Sequence, residues 1–108
     1  MMDPKSCDSM ESLRELIDAH DRAIVEMLEF RSACIDRAVE LKQEVEWPAR
    51  IEGRIEEVLE NVRSAAEDKG LDPELVDRIW RILIEWSIER EERILGRVTE
   101  SDRECGDH

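Results

Sequence analysis

The sequence predicts an all-α protein of three helices, one of them very long. Composition points this way first: turn formers are few in 108 residues (Gly 4, Pro 3), while Glu, Arg, Leu and Ile are abundant. Aromatic residues amount to 4%, with one Phe and no Tyr, against 42% charged residues. Patterning agrees, because apolar residues return at helical spacing through segments that neither Gly nor Pro interrupts. A chain of this length is about one domain.

The elements follow in order. Asp8 with Glu11 and Ser12 with Glu15 both match the capping-box pattern, so the first helix is expected to start near 9–13. Apolar residues then recur at Leu13, Leu16, Ile17, Ile24, Met27, Leu28, Ile35, Ala38, Leu41 and Val45, until Trp47 and Pro48 end the helix. The second helix covers roughly 50–68 and carries Ile51, Ile55, Val58, Leu59, Val62 and Ala66 on one face, with Gly70 as its C′ residue. Asp72 followed by Pro73 is an N-cap with proline at N1, and it opens a third helix that runs to about 95. Val76, Ile79, Trp80, Leu83, Ile84, Ser87 and Ile94 lie in register along it. Residues 1–8 read as an N-terminal extension, 9–96 as the helical domain, and 97–108 as a polar, disordered tail.

The first helix is too long for its own chain. Some 35 residues at 1.5 Å each give roughly 53 Å, whereas a compact chain of this size has a radius of gyration near 13 Å. The apolar stripe is therefore expected to be completed by a second copy, in an intertwined homodimer with two long helices side by side.

The formal net charge of −13 argues against nucleic acid or an anionic membrane surface as partner. Neither a 7–15-residue apolar leader nor a span of about 20 apolar residues is visible. Cys7, Cys34 and Cys105 are odd in number and lack CxxC spacing, which fits reduced thiols in a cytoplasm. No metal site is expected from these cysteines with His20 and His108. His20 occupies a stripe position and reads as a packing or dimer contact.

The inward stripe of the first helix holds two cations. Within "LEFRSACIDRAVELK" it runs Leu28, Arg31, Ile35, Ala38, Lys42, with Cys34 and Leu41 alongside. Arg31 and Lys42 are eleven residues apart, so they point within about 20° of one direction. The small Ala38 between them would leave a hole with positive walls. Arg54 stands among Ile51, Ile55 and Val58 on the second helix, and Ser87 and Glu91 lie one turn apart on the third. Arg14, near the start of the first helix, could reach a partner's cavity in an antiparallel dimer. Buried cations without partners are strongly disfavoured. Inward acids are too few, Glu91 being the main candidate, so the missing counter-charge would be a small ligand carrying more than one carboxylate or phosphate. No Gly-rich phosphate loop, Ser/His/Asp set or paired-carboxylate spacing accompanies these residues. Taken alone, they define a helical dimer with cationic pockets for a small polyanion.

The same residues, in this order, resemble the helical chorismate mutase family over about 8–95. "LRELIDAHDRAIVEMLEFR" is similar to the family's opening, Lys42 and Arg54 follow at family spacing around a Pro-containing turn, and "KGLDPELVDRIWRILIEWSIEREE" resembles its third-helix motif. The resemblance implies that Arg31, with Arg14 of the other subunit, clamps two substrate carboxylates, and that Arg54 assists at the ring side. Lys42 would hydrogen-bond the ether oxygen whose C–O bond breaks, with Glu91 as second donor where many members carry Gln. Ser87 would orient a carboxylate or hydroxyl, and Ala38, Ile84 and Ile88 would form apolar walls. The implied reaction, chorismate to prephenate, needs no cofactor. A donating Glu91 must carry a proton, so activity is expected to be best in acid, with Glu91→Gln flattening the profile. Ile55 stands where typical mutases have a Glu that contacts the ring hydroxyl. Together with the opening "DPKSCDSMESLRELID" and the "EWSIERE" segment, this resembles the salicylate-forming isochorismate pyruvate lyase branch. A branch acting on 4-amino-4-deoxychorismate shares features here, and a non-catalytic helical dimerisation module is the alternative from another class.

Overall fold

The computed structural model describes residues 3–96, and among them every regular element is helical. A single 3₁₀ turn, Pro4–Ser6, precedes α1 (Met10–Val45), α2 (Glu52–Lys69) and α3 (Pro73–Leu95). The three helices are those the sequence predicts. The expectation for 97–108 lies outside the described residues.

Local chemistry sets each boundary. At the start of α1 the cap is Ser9, which falls between the two expected capping boxes. Its Oγ accepts from the Ser12 amide at 3.1 Å, and the Ser12 hydroxyl donates back to the Ser9 carbonyl at 3.1 Å. Serine at N3 thus closes the turn on the N-cap carbonyl, whereas the Glu of the usual box accepts from the N-cap amide. At the far end of α1, Glu46 adopts φ 56°, a left-handed conformation. The Trp47 amide donates to the Lys42 carbonyl at 2.9 Å and the Glu46 amide to that of Gln43 at 3.4 Å, a Schellman closure. Gly70, at φ 73°, closes α2 the same way, with Leu71 donating to Ala66 at 2.8 Å. Glycine meets that conformation at little steric cost, whereas Glu46 is strained in it. Asp72 accepts from the Glu74 amide at 3.0 Å and opens α3 with Pro73 in the first turn. Ile51, the residue before α2, offers no side-chain cap.

The chain divides into two compact units between Cys34 and Ile35. In the first, α1 leaves Ile17, Ile24, Val25, Met27 and Phe30 exposed, Phe30 to 73%. His20 is half-buried, and its Nδ1 lies 3.1 Å from the Leu16 carbonyl that it faces along the helix.

In the second unit, Ala49, Leu59, Ile84 and Ile88 form the buried centre, with Ile55, Val58, Trp80 and Leu95 against it. Packing between α2 and α3 dominates. All six expected apolar positions of the second helix are at least half-buried, Leu59 and Ala66 fully. On α3 the buried stripe runs Val76, Ile84, Ser87, Ile88, Glu91. Ile79 and Ile94, expected in that stripe, are exposed. On α1, Val39 is buried beside the half-buried Ile35, Ala38 and Lys42, while Cys34 and Leu41, expected alongside, are exposed. At 100° per residue Val39 lies about 60° from Lys42 and Leu41 about 100° from it. The inward arc includes the first and misses the second.

Candidate functional site

Lys42 is the centre of the polar constellation in the second unit. It sits one turn from the end of α1, half-buried, with its ammonium Nζ 2.7 Å from Glu91 Oε1 and 3.0 Å from the Ala49 carbonyl. Glu91 is only 4% exposed, the deepest charged side chain among the described residues. Glu91 on α3, the inward acid that the sequence offers as the main candidate, supplies a protein counter-charge to Lys42, so this cation does not depend on a ligand for one. Glu91 turns inward because it lies one turn after the buried Ser87 and Ile88 on α3. Two of the three ammonium hydrogens are directed to protein oxygens, which leaves one for a further acceptor.

Ser87 is buried at 4%. Ile84 and Ile88 flank it but belong to the packed centre rather than to an open wall. Ala38 is half-buried one turn before Lys42, and Ile55 is half-buried against the α2–α3 core. Arg54 turns outward: its side chain is 64% exposed and its guanidinium pairs with Glu57 of the same helix. Helical geometry explains this, since Arg54 precedes the inward Ile55 by 100° of rotation. Arg14 and Arg31 belong to the first unit, Arg14 exposed and Arg31 half-buried.

Lys42 also lines a pocket of about 260 Å³ with Gln43, Glu46, Trp47, Pro48, Ile94 and Leu95. Sequence reasoning did not single out these neighbours. Trp47, a large aromatic beside a proline and 56% exposed, was the signal available. Nor did it single out Asp36 and Arg90, which join α1 to α3 through two hydrogen bonds, Nε to Oδ1 at 2.7 Å and an Nη to Oδ2 at 3.1 Å. Arg90 also lies 5.5 Å from the centre of the Trp86 ring, within cation–π range. Its hydrogen bond holds the Asp36 carboxyl below the ordinary carboxylate range. Elsewhere in the second unit, Arg50 pairs with Glu85 and Glu52. Asp77 on α3 sits between Arg81 at 2.7 Å and Arg63 at 3.5 Å, and the bond from Arg81 lowers its proton affinity.

Chemically, the arrangement presents an ammonium donor beside a buried carboxyl that accepts as a carboxylate or donates when protonated. It offers no activated nucleophile. This is a helical fold with a polar constellation suited to hydrogen bonding and charge. Residues 13–92 match the model of the family described as chorismate mutase type II, and the chain belongs to that family. Among curated proteins no individual relative matches.

Proposed function

We propose that the protein is a chorismate mutase, converting chorismate to prephenate by a pericyclic rearrangement in which one C–O bond breaks as one C–C bond forms. The observation that carries this reading is the inward Lys42–Glu91 pair in a chain of this family. The reaction requires no covalent step. It requires a compact substrate conformer and stabilisation of the charge that grows on the ether oxygen.

Lys42 donates its remaining hydrogen to that oxygen. When Glu91 takes a proton it becomes the second donor, and it also releases the Lys42 hydrogen it holds in the free protein. Ser87 orients a polar group of the substrate, and the half-buried Ala38 offers it an apolar wall. Arg31, and Arg14 of a second copy, clamp the carboxylates. Arg54 reaches the site by a rotamer change away from Glu57. The protein acts as a homodimer, a reading supported by the exposed Ile17, Ile24, Val25, Met27 and Phe30 on α1, since exposed apolar surface on this scale marks an interface.

One observation favours a second reading on the same fold. Ile55 packs against the core, and so leaves no carboxylate at the position from which typical mutases contact the ring hydroxyl. Isochorismate, cleaved to salicylate and pyruvate, is the substrate class this suits. Incubating the purified protein separately with chorismate and isochorismate, then separating products by chromatography, decides the matter. Prephenate is the expected product. Salicylate alone would replace the mutase reading with the lyase, and no turnover of either would leave a helical dimerisation module.

A further inference from the structure

We infer that Asp36 and Arg90 are positioning residues, which set the rotation of α3 so that Glu91 meets Lys42. The inference rests on the proposed role of Lys42 and Glu91, and assigns function to two residues that touch neither. Arg90 and Glu91 are neighbours on α3, while Asp36 and Lys42 lie on α1, so two ion pairs link the same two helices. They differ in kind. The Lys42–Glu91 pair is a single contact at 2.7 Å from a flexible ammonium stem. The Asp36–Arg90 pair is a fork with two bonds, at 2.7 and 3.1 Å, which fixes direction as well as separation. The Trp86 ring, one turn back on α3, supports the guanidinium on another side at 5.5 Å.

Rotation is the coordinate that matters. With side chains a helix has a radius of about 5–6 Å, so a roll of about 20° moves a side-chain tip by about 2 Å. That displacement breaks a 2.7 Å hydrogen bond. The buried centre of Leu59, Ile84 and Ile88 resists separation of α2 from α3, but apolar contacts are non-directional and hold the roll only loosely. The charges are also arranged reciprocally. α1 presents Asp36 and then Lys42; α3 presents Arg90 and then Glu91. A slip that opposed Asp36 to Glu91, or Lys42 to Arg90, would bring like charges together. Both members of the fork are partly exposed, at 38% and 48%, so the pair adds little stability. Its consequence is alignment.

The test uses the full-length protein with Asp36→Asn, Arg90→Gln, and the double exchange Asp36→Arg with Arg90→Asp. Two quantities are read: kcat and KM on chorismate, and the ¹H–¹⁵N signal of the Lys42 ammonium, which a hydrogen-bonded partner protects from exchange with water. Each single variant is expected to lower kcat about tenfold, as loss of an orienting partner typically does, with KM changed less than about twofold. Each should also remove the protection of the ammonium signal. The exchange should recover both. Single variants with wild-type kcat, or with an unchanged ammonium signal, overturn the inference. So does an exchange that keeps its helix content without recovery. Should Arg90→Gln not fold, Asp36→Glu keeps the charge, displaces the fork by one methylene and reads the same quantities. A wild-type protein inert toward chorismate would sink the proposed function, while the ammonium signal would still decide the alignment.

Discussion

Nζ of Lys42 on α1 and Oε1 of Glu91 on α3 are 2.7 Å apart across 49 residues of chain, with the carboxylate side chain 5% exposed and the lysine 18%. A charge pair this deep is held by its complementarity, because removing one partner strands the other away from water.

Single removal should therefore cost more than double removal. Lys42→Met is expected to destabilise by on the order of 3 kcal/mol, with Lys42→Met/Glu91→Leu recovering much of the loss. Urea denaturation of the four proteins of the cycle measures both. Equal stability in all four would show that the pair is solvated.

Turnover should respond differently from stability. Lys42→Ala is expected to lower kcat at least ~10²-fold, comparable to loss of an oxyanion donor. Glu91→Gln, whose amide donates a hydrogen bond, should keep activity, whereas Glu91→Ala, which offers no donor, should lose it. Steady-state rates on chorismate provide the check; a Glu91→Ala protein as active as wild type would remove Glu91 from the donor role.

Acid should loosen two ion pairs of the second unit. Asp36 and Asp77 are both held below their ordinary value by arginine hydrogen bonds, from Arg90 and Arg81 respectively. A carboxyl depressed on folding contributes stability above its unfolded value, near pH 4, and loses it as pH falls through the folded value. The stability gap between wild type and Asp36→Asn, small for so exposed a pair, should then be full at neutral pH and close below about pH 4. Thermal unfolding followed by circular dichroism at several pH values reads it, and a gap constant with pH would refute the assignment.

The turn after α1 carries removable strain. Glu46 holds φ 56° where Gly70 serves at the end of α2. Glu46→Gly should stabilise by on the order of 1 kcal/mol, or about 4–8 °C in Tm for a domain of this size. Calorimetry would show it, and a fall in Tm would mean that the Glu46 side chain contributes more than its backbone costs.

Capping offers a local control. Ser9→Ala removes the acceptor for the Ser12 amide and should cost about 1 kcal/mol, whereas Asp8→Ala should cost much less. The reverse order in chemical denaturation would restore Asp8 as the cap.

The sequence by itself determined the three helices, the glycine closure at Gly70, the proline-led entry of α3 and the inward face of α2. Each depends on residues within about four positions of one another, where capping and helical periodicity act. It also marked Lys42, Ser87 and Glu91 as inward polar residues, because such residues interrupt an apolar stripe. Tertiary structure decided which of them meet. Whether Lys42 faced a ligand or Glu91, whether Val39 or Leu41 lay inward, and whether Arg54 turned out toward Glu57 all depended on how far each helix is rolled about its axis. The pairing of Asp36 with Arg90, 54 residues apart, belongs to the same level. A roll of a few tens of degrees leaves every local hydrogen bond of a helix intact, so only contact with a neighbouring helix selects it.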